Sequence, residues 1–159
     1  MKHVVGIAEM KMSRQSGDVI VTHALGSCLG IAAHDPVAGV GGLLHVMMPE
    51  GRMNPQKAAA NPFMFVDTGV PAFFRGLYDT GGVKSRLVIK VAGGANVHNT
   101  GNDRFQIGKR NYVILKKLFW MNSLLIDAED IGGTGARTMY LEIGTGRTWL
   151  STAGVEKEL

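Results

Sequence analysis

The fold class is predicted first from the stretch Val21–Pro49, VTHALGSCLGIAAHDPVAGVGGLLHVMMP. Three short runs in and around it predict strands, because they are apolar and bounded by turn residues. These runs are Val19–Ala24, Leu29–His34 and Leu43–Met48. Strands that follow one another, rather than alternating with helices, favour an α+β fold over a regular parallel sheet.

Further strands are predicted on both sides of this stretch. They are Val4–Met12, Arg86–Ala92, Ser123–Asp127, Arg137–Ile143 and Arg147–Ser151. Glycine-rich turns separate the last three runs, and the final two are predicted to form a hairpin.

Two segments predict helices. Pro62–Asp79 follows Asn61, a suitable N-cap, and Pro71 predicts a kink or an early break within it. Ile107–Asn122 gathers its apolar residues on one side. The polar segments Gly51–Asn61 and Ala95–Gln106 are predicted to be loops, the first of them mobile.

Size and composition limit the class of protein. The chain has 159 residues, 45% of them hydrophobic and 19% charged, which predicts one globular domain over residues 1–159. The N-terminus lacks the apolar core of a signal peptide, and no apolar run approaches the roughly 20 residues needed to span a bilayer. We expect a soluble, cytoplasmic protein. Its net charge of +4 is not high enough to indicate that the protein binds nucleic acid.

The chain has a single cysteine, Cys28. One thiol excludes an internal disulfide and a multi-cysteine metal site, and it fits a reducing compartment. Gly26 and Gly30 flank Cys28, and such a bend can expose a sulfur and direct backbone N–H groups towards it. A catalytic nucleophile needs both features. A small buried hydrophobic residue is the competing interpretation, and this pattern alone favours it.

A thiol nucleophile requires a base, and the chain has five histidines. His45 lies within an apolar predicted strand, and His23 lies beside the bend; either could be the base, and either could be a structural histidine. His34 adjoins Asp35-Pro36 and is interpreted as a turn residue. The remaining two are His3 and His98. The spacing of His23, His34 and His45 does not predict a metal site.

Thr22 ends the second predicted strand. Its hydroxyl could hold an imidazole in one tautomer, or the residue could be an ordinary β-former. Spacing does not decide between these roles.

Taken together, these residues resemble the signature of the CheD family of chemoreceptor glutamine deamidases. The shared elements here are Thr22, Leu25-Gly26-Ser27-Cys28, Asp35-Pro36, Gly41-Gly42, His45 and Met47-Met48-Pro49. Similar matches follow in the expected order at Phe65–Thr68, Lys90–Asn96, Ile107–Asn111 and Asp130–Thr138. The chain departs from the family pattern at Ala24, where glycine is common, and in the loop after Gly94.

The resemblance implies a layered α/β/β sandwich-like cysteine hydrolase fold, similar to the catalytic domain of cytotoxic necrotizing factor toxins. It implies a site of Cys28, His45 and Thr22. We expect backbone N–H groups near Ser27–Leu29 to stabilise the oxyanion that forms there. No cofactor is implied. The implied substrates are glutamines of methyl-accepting chemotaxis receptors, and the implied partner is the CheY-P phosphatase CheC.

Other functions remain open. The same site could hydrolyse receptor glutamate methyl esters, or the fold could bind CheC or receptor with little catalysis. Cys28 could also be a redox sensor. The glycine-rich turns near the C-terminus do not form a phosphate-binding loop. Gly51–Asn61 is expected to shape the site, and Lys109 with Arg110 could favour an acidic receptor helix or simply face solvent.

Overall fold

The computed structural model describes residues 1–96 and 106–159, and within those ranges the chain forms ten strands and three α-helices. The strands are β1 (Lys2–Val5), β2 (Glu9–Ser13), β3 (Val19–Leu25), β4 (Leu29–Asp35), β5 (Val40–Val46), β6 (Val88–Gly93), β7 (Ala128–Ile131), β8 (Arg137–Glu142), β9 (Thr148–Thr152) and β10 (Val155–Glu158). The helices are α1 (Pro55–Ala60), α2 (Val66–Asp79) and α3 (Ile107–Met121).

The strands form two five-stranded sheets. Sheet A has the order β1-β3-β8-β9-β10, and sheet B has the order β2-β5-β4-β6-β7. One core lies between the sheets and includes Leu25, Leu43 and Met139. A second core lies between sheet B and the helices, where Phe73 and Leu115 are buried. The architecture is therefore α+β, with sheet B enclosed between sheet A and the helices.

Strands β4 and β5 occupy the centre of sheet B, and all seven residues of each are buried. A strand covered on both faces needs apolar or small residues on both, which explains why these segments lack simple alternation. They pair antiparallel from Leu29 opposite Val46 to Asp35 opposite Val40. Each end of this ladder carries ionisable side chains, His45 at one end and His34 with Asp35 at the other.

The prediction of one strand over Val4–Met12 is wrong. The segment forms β1 in sheet A and β2 in sheet B, with a turn between them. Ala8 has a left-handed backbone with φ 60°, which breaks the extended run. An apolar pattern does not reveal this turn, because a residue other than glycine occupies the left-handed position.

The predicted break at Pro71 does not occur, since α2 continues from Val66 to Asp79. An interior proline costs a helix about 3 kcal/mol. Phe73, Phe74 and Leu77 are buried on this helix, and each buried side chain of this size contributes roughly 1.5–3 kcal/mol. Burial therefore outweighs the cost of the proline.

The segments before α2 are more ordered than predicted. The predicted loop Gly51–Asn61 contains a 3₁₀ turn, Gly51–Met53, and the short helix α1. Asn61 caps a second 3₁₀ turn rather than α2, with its side-chain oxygen accepting a hydrogen bond from the Phe63 amide at 3.0 Å.

The C-terminal part differs in one strand. The prediction of a strand over Ser123–Asp127 is wrong. The strand in this region is β7, which begins just after that segment. Within the segment, Asp127 is the residue that joins β6, through hydrogen bonds with Ile89. The hairpin is confirmed as β8 and β9, and β10 extends the sheet beyond it. Most of the predicted Ala95–Gln106 loop lies outside the described residues. Across the described ranges, the helices are too short or too polar to cross a bilayer.

Candidate active site

Cys28 lies where the chain crosses from one sheet to the other. The bend Gly26–Cys28 joins β3 of sheet A to β4 of sheet B. Backbone hydrogen bonds fix this bend: the Gly94 amide donates to the Cys28 carbonyl at 3.0 Å, and the Ala95 amide donates to the Gly26 carbonyl at 2.8 Å. The half-buried Cys28 side chain packs against the core between the sheets.

The left-handed backbone near the bend does not fall on either of the glycines that flank Cys28. The left-handed residue near the bend is Ala24, with φ 59°, at a β-bulge between β3 and β8. Glycine adopts this conformation without the steric cost that alanine has. Gly30 instead permits close packing of the sheets, because a Cβ at that position would lie 2.8 Å from Leu25 and 2.9 Å from Met139.

His45 and Thr22 meet in the interior between the two sheets. The Thr22 hydroxyl oxygen lies 2.7 Å from His45 Nδ1 and 2.8 Å from the carbonyl oxygen of Val5. A carbonyl can only accept, so the single hydroxyl hydrogen goes to Val5 and the Nδ1–H of His45 donates to Thr22. A neutral imidazole carries one N–H, and Nε2 therefore presents a lone pair.

The Nε2 lone pair of His45 is buried and accepts no hydrogen bond from the described residues. Within residues 1–96 and 106–159, His45 Nε2 is one of two buried side-chain polar atoms without a hydrogen-bond partner. Burial lowers the pKa of His45 to about 4, so the imidazole is neutral at physiological pH. A neutral imidazole with a free Nε2 can accept a proton.

Cys28 and His45 lie at the same end of the β4–β5 ladder, on the side of sheet B that faces sheet A. Gly30 pairs with His45, and Leu29 pairs with Val46. Cys28 directly precedes β4, so extending the register by one residue places it diagonal to His45 across the end of the ladder. Cβ atoms related in this way are roughly 7 Å apart. The structure shows no hydrogen bond between the two side chains, since His45 Nε2 has no partner among the described residues.

The thiol is protonated in the resting site. Burial raises the pKa of Cys28, and the hydrogen bond from its own backbone N–H lowers it only in part. The resting pair is therefore a neutral thiol and a neutral imidazole. The same backbone N–H lies within the segment Ser27–Leu29, where the sequence predicts an oxyanion donor.

The other histidines have different surroundings. His23 is exposed and contacts the Thr138 hydroxyl at 3.3 Å. His34 is not a turn residue, since it is buried in β4 and its Nε2 lies 2.8 Å from the carbonyl oxygen of Ile143. His3 contacts Asp18 at 2.8 Å. His98 lies outside the described residues.

Two further predictions concern the surroundings of the site. The segment 51–61 follows β5, and its Asn61 side chain donates to the Ala8 carbonyl at 2.9 Å, which ties it to the site end of the ladder. Lys109 is exposed on α3. In the part of the chain that the structure describes, no three His, Cys, Asp or Glu residues form a group able to hold a metal ion.

Sequence reasoning assigned no role to Asn111 of α3. It is fully buried, and its amide nitrogen donates to the carbonyl oxygens of Ser27 at 3.0 Å and Met47 at 3.1 Å. The only signal in the sequence was its place at the end of the motif Ile107–Asn111.

These features are those of a candidate cysteine-nucleophile site, in which a lone thiol and a neutral, oriented imidazole lie at the same end of one ladder in an α+β fold. Residues 47–152 match the family model for CheD chemotactic sensory transduction. The chain is 42% identical over 156 residues to the probable chemoreceptor glutamine deamidase CheD of Solibacter usitatus, which covers 98% of this chain and 92% of the relative. The chain belongs to the CheD family.

Two other relatives are also named as probable chemoreceptor glutamine deamidases. A probable chemoreceptor glutamine deamidase CheD 1 of Syntrophus aciditrophicus is 42% identical, over 95% of this chain and 94% of its own. The corresponding protein of the archaeon Thermococcus kodakarensis is 37% identical, over 92% of this chain and 90% of its own. These alignments cover nearly the whole chain, including the region of Cys28 and His45 that precedes the family-model match.

Proposed function

We propose that this protein is a chemoreceptor glutamine deamidase, a hydrolase that converts receptor glutamines to glutamates and releases ammonia. Family membership supports the substrate. The observation that carries the chemistry is the buried, unpartnered Nε2 of His45 on the same face of sheet B as the lone thiol. A buried acceptor left unsatisfied costs free energy, which indicates a catalytic rather than a structural histidine.

In the first half of the reaction, the Cys28 thiol gives its proton to His45 Nε2 as the sulfur attacks the carboxamide carbon. The carbonyl π electrons move to oxygen, and the backbone N–H of Cys28 stabilises the resulting oxyanion. His45 Nε2–H then protonates the amide nitrogen. The C–N bond breaks, ammonia leaves, and a thioester joins Cys28 to the substrate.

In the second half, His45 Nε2 takes a proton from water, and the resulting hydroxide attacks the thioester carbon. The C–S bond breaks, the sulfur recovers its proton from Nε2, and the product is a glutamate. Thr22 accepts the Nδ1–H of His45 throughout, which keeps Nε2 available as the base and then as the acid.

We further propose the features that the resemblance implied. The layered architecture is a cysteine hydrolase fold similar to the catalytic domain of cytotoxic necrotizing factor toxins, and residues 1–159 form one deamidase domain. The protein acts in the cytoplasm, with CheC as a partner. The two cores on either side of sheet B support a single domain, because they share β4 and β5.

The test is mass spectrometry of a receptor cytoplasmic fragment incubated with the protein. Each deamidated glutamine gains about one dalton. We expect conversion with the natural protein and a loss of about 10⁴-fold or more with Cys28→Ala, since the nucleophile is absent. Thr148→Val, a buried change in β9, is the control and is expected to remain active.

Three outcomes would contradict the proposal. Conversion that survives Cys28→Ala would exclude the thiol as nucleophile. Hydrolysis of receptor methyl esters without any glutamine conversion would identify an esterase. Receptor binding without either reaction would identify a binding regulator.

A further inference from the structure

Asn111 joins the two segments that carry the thiol and the imidazole. It lies on the second turn of α3, and its Nδ2 donates both hydrogens to main-chain carbonyls, one before Cys28 and one after His45. Both partners are carbonyl oxygens, which can only accept, so the orientation of the amide is fixed. These two hydrogen bonds connect α3 to the start of β4 and the end of β5.

The side-chain oxygen of Asn111 has no compensating bond. Oδ1 is the second buried polar atom without a partner in the described ranges, and the residue is fully buried. An apolar side chain of the same branched shape would avoid this cost. The two donated hydrogen bonds are therefore the property that an apolar residue could not supply.

The bond to Ser27 acts on a particular peptide unit. The Ser27 carbonyl and the Cys28 N–H belong to the same planar peptide and point in opposite directions. Asn111 holds the carbonyl end, and the N–H end is turned towards the Cys28 sulfur. A hydrogen bond at the carbonyl fixes the direction of the N–H and strengthens it as a donor.

We propose that Asn111 is a positioning residue for the oxyanion donor, aiming the Cys28 N–H at the oxygen of the tetrahedral intermediate. This inference rests on the proposed deamidation through Cys28. Asn111 does not touch the substrate; it acts through the Ser27–Cys28 peptide. Its effect is therefore confined to acyl transfer, the step in which an oxyanion forms.

The test compares two reactions of the same thiol. Deamidation of a receptor fragment forms an oxyanion, whereas alkylation of Cys28 by iodoacetamide does not. Asn111→Leu keeps the branched shape and removes both donors. We expect kcat for deamidation to fall roughly 10–100-fold, since losing a whole oxyanion donor costs about 10²–10³-fold. KM and the alkylation rate should each stay within about threefold.

Two variants serve as controls. Asn111→Ala removes both donors without adding volume, so it gives the same answer if Asn111→Leu does not fold by circular dichroism. Thr148→Val removes a different buried donor, whose hydroxyl bonds to the Gly146 carbonyl at 3.2 Å, and should change neither reaction.

The outcomes are distinguishable. An unchanged kcat in a folded variant would overturn the assignment while leaving Cys28 as the nucleophile. A parallel fall in kcat and alkylation rate would also overturn it, because Asn111 would then affect the thiol itself rather than the oxyanion donor. A natural protein that does not deamidate the fragment would overturn both this assignment and the proposed function.

Discussion

The two ends of the β4–β5 ladder contain similar side chains that differ in their hydrogen bonding. The site end holds His45 of β5 beside Cys28, and the far end holds His34 and Asp35 of β4. Both histidines are buried. The ends differ in whether their polar atoms have partners.

At the far end, His34 and Asp35 both have hydrogen-bond partners. The Asp35 carboxylate accepts hydrogen bonds from the backbone amides of Val37, Ala38 and Val83, and it pairs with Arg86 at 2.9 Å. Burial alone would raise the pKa of Asp35, but Arg86 and these amides hold it well below its ordinary value. This end is a structural network.

At the site end, by contrast, His45 Nε2 has no partner among the described residues, and the nearby thiol keeps its proton. The chain thus contains an internal control: two buried histidines on neighbouring strands, of which one is satisfied and one is available for chemistry. The comparison teaches that residue type and burial do not separate the two histidines, whereas their hydrogen bonds do, and this difference supports the proposal of His45 as the base.

The largest expected effect separates the two histidines. His45→Gln should lower kcat for receptor deamidation roughly 10²–10⁴-fold, the usual contribution of general acid–base catalysis. His34→Gln should leave kcat within about threefold and lower the free energy of unfolding by about 1 kcal/mol, the worth of its bond to Ile143. Steady-state kinetics and urea unfolding measure both. If the two variants lost activity equally, the distinction between the ends would fail.

A second prediction concerns stability and pH. The pKa of His45 falls from 6.5 to about 4 on folding. As the pH drops below 6.5, the unfolded chain therefore binds this proton before the folded protein does. The stability that the neutral imidazole provides is complete above that pH and is lost as the pH falls towards 4. The loss amounts to about 2–3 kcal/mol.

His45→Gln should remove that part of the pH dependence. Urea unfolding of the natural protein and the variant at about pH 7.5 and about pH 4.5 measures it. The difference in unfolding free energy between the two proteins should shift by about 2–3 kcal/mol in favour of the variant at the lower pH. An unchanged difference would mean that His45 titrates normally.

The smallest effect is expected at Thr22. Thr22→Val keeps the shape of the side chain but removes the acceptor for the His45 Nδ1–H, so that both tautomers become accessible. We expect kcat to fall about tenfold, with recovery in Thr22→Ser, which restores the hydroxyl. If serine did not restore activity, the methyl group rather than the hydroxyl would be the important feature.

Parts of this molecule follow from sequence because they depend on local patterns. Helix α3 and the β8–β9 hairpin were predicted closely, since apolar periodicity and glycine turns determine them. The split between β1 and β2 was missed because it depends on Ala8 adopting a backbone conformation that glycine favours. The continuity of α2 was missed because the burial that offsets Pro71 comes from sheet B.

The candidate site, like the fold, could be predicted from the sequence only in part. Cys28, His45 and Thr22 were proposed from the resemblance, and the residues alone did not distinguish His45 from His23. The tautomer depends on Val5, which lies 17 positions from Thr22 in sequence. Asn111 lies 84 positions from Ser27. Contacts of this range leave no periodic signal in a single sequence.

The hydrogen bond from Thr22 to Val5 has a practical consequence. Val5 is the last residue of β1, a short edge strand held to β3 by parallel pairing from Lys2 opposite Val19 to Val5 opposite Thr22. An affinity tag or a truncation at the N-terminus acts directly on this strand. If the strand detaches, the Thr22 hydroxyl hydrogen is free to turn towards His45, and the imidazole can take the wrong tautomer. Activity measurements on this protein are therefore best made with the tag at the C-terminus.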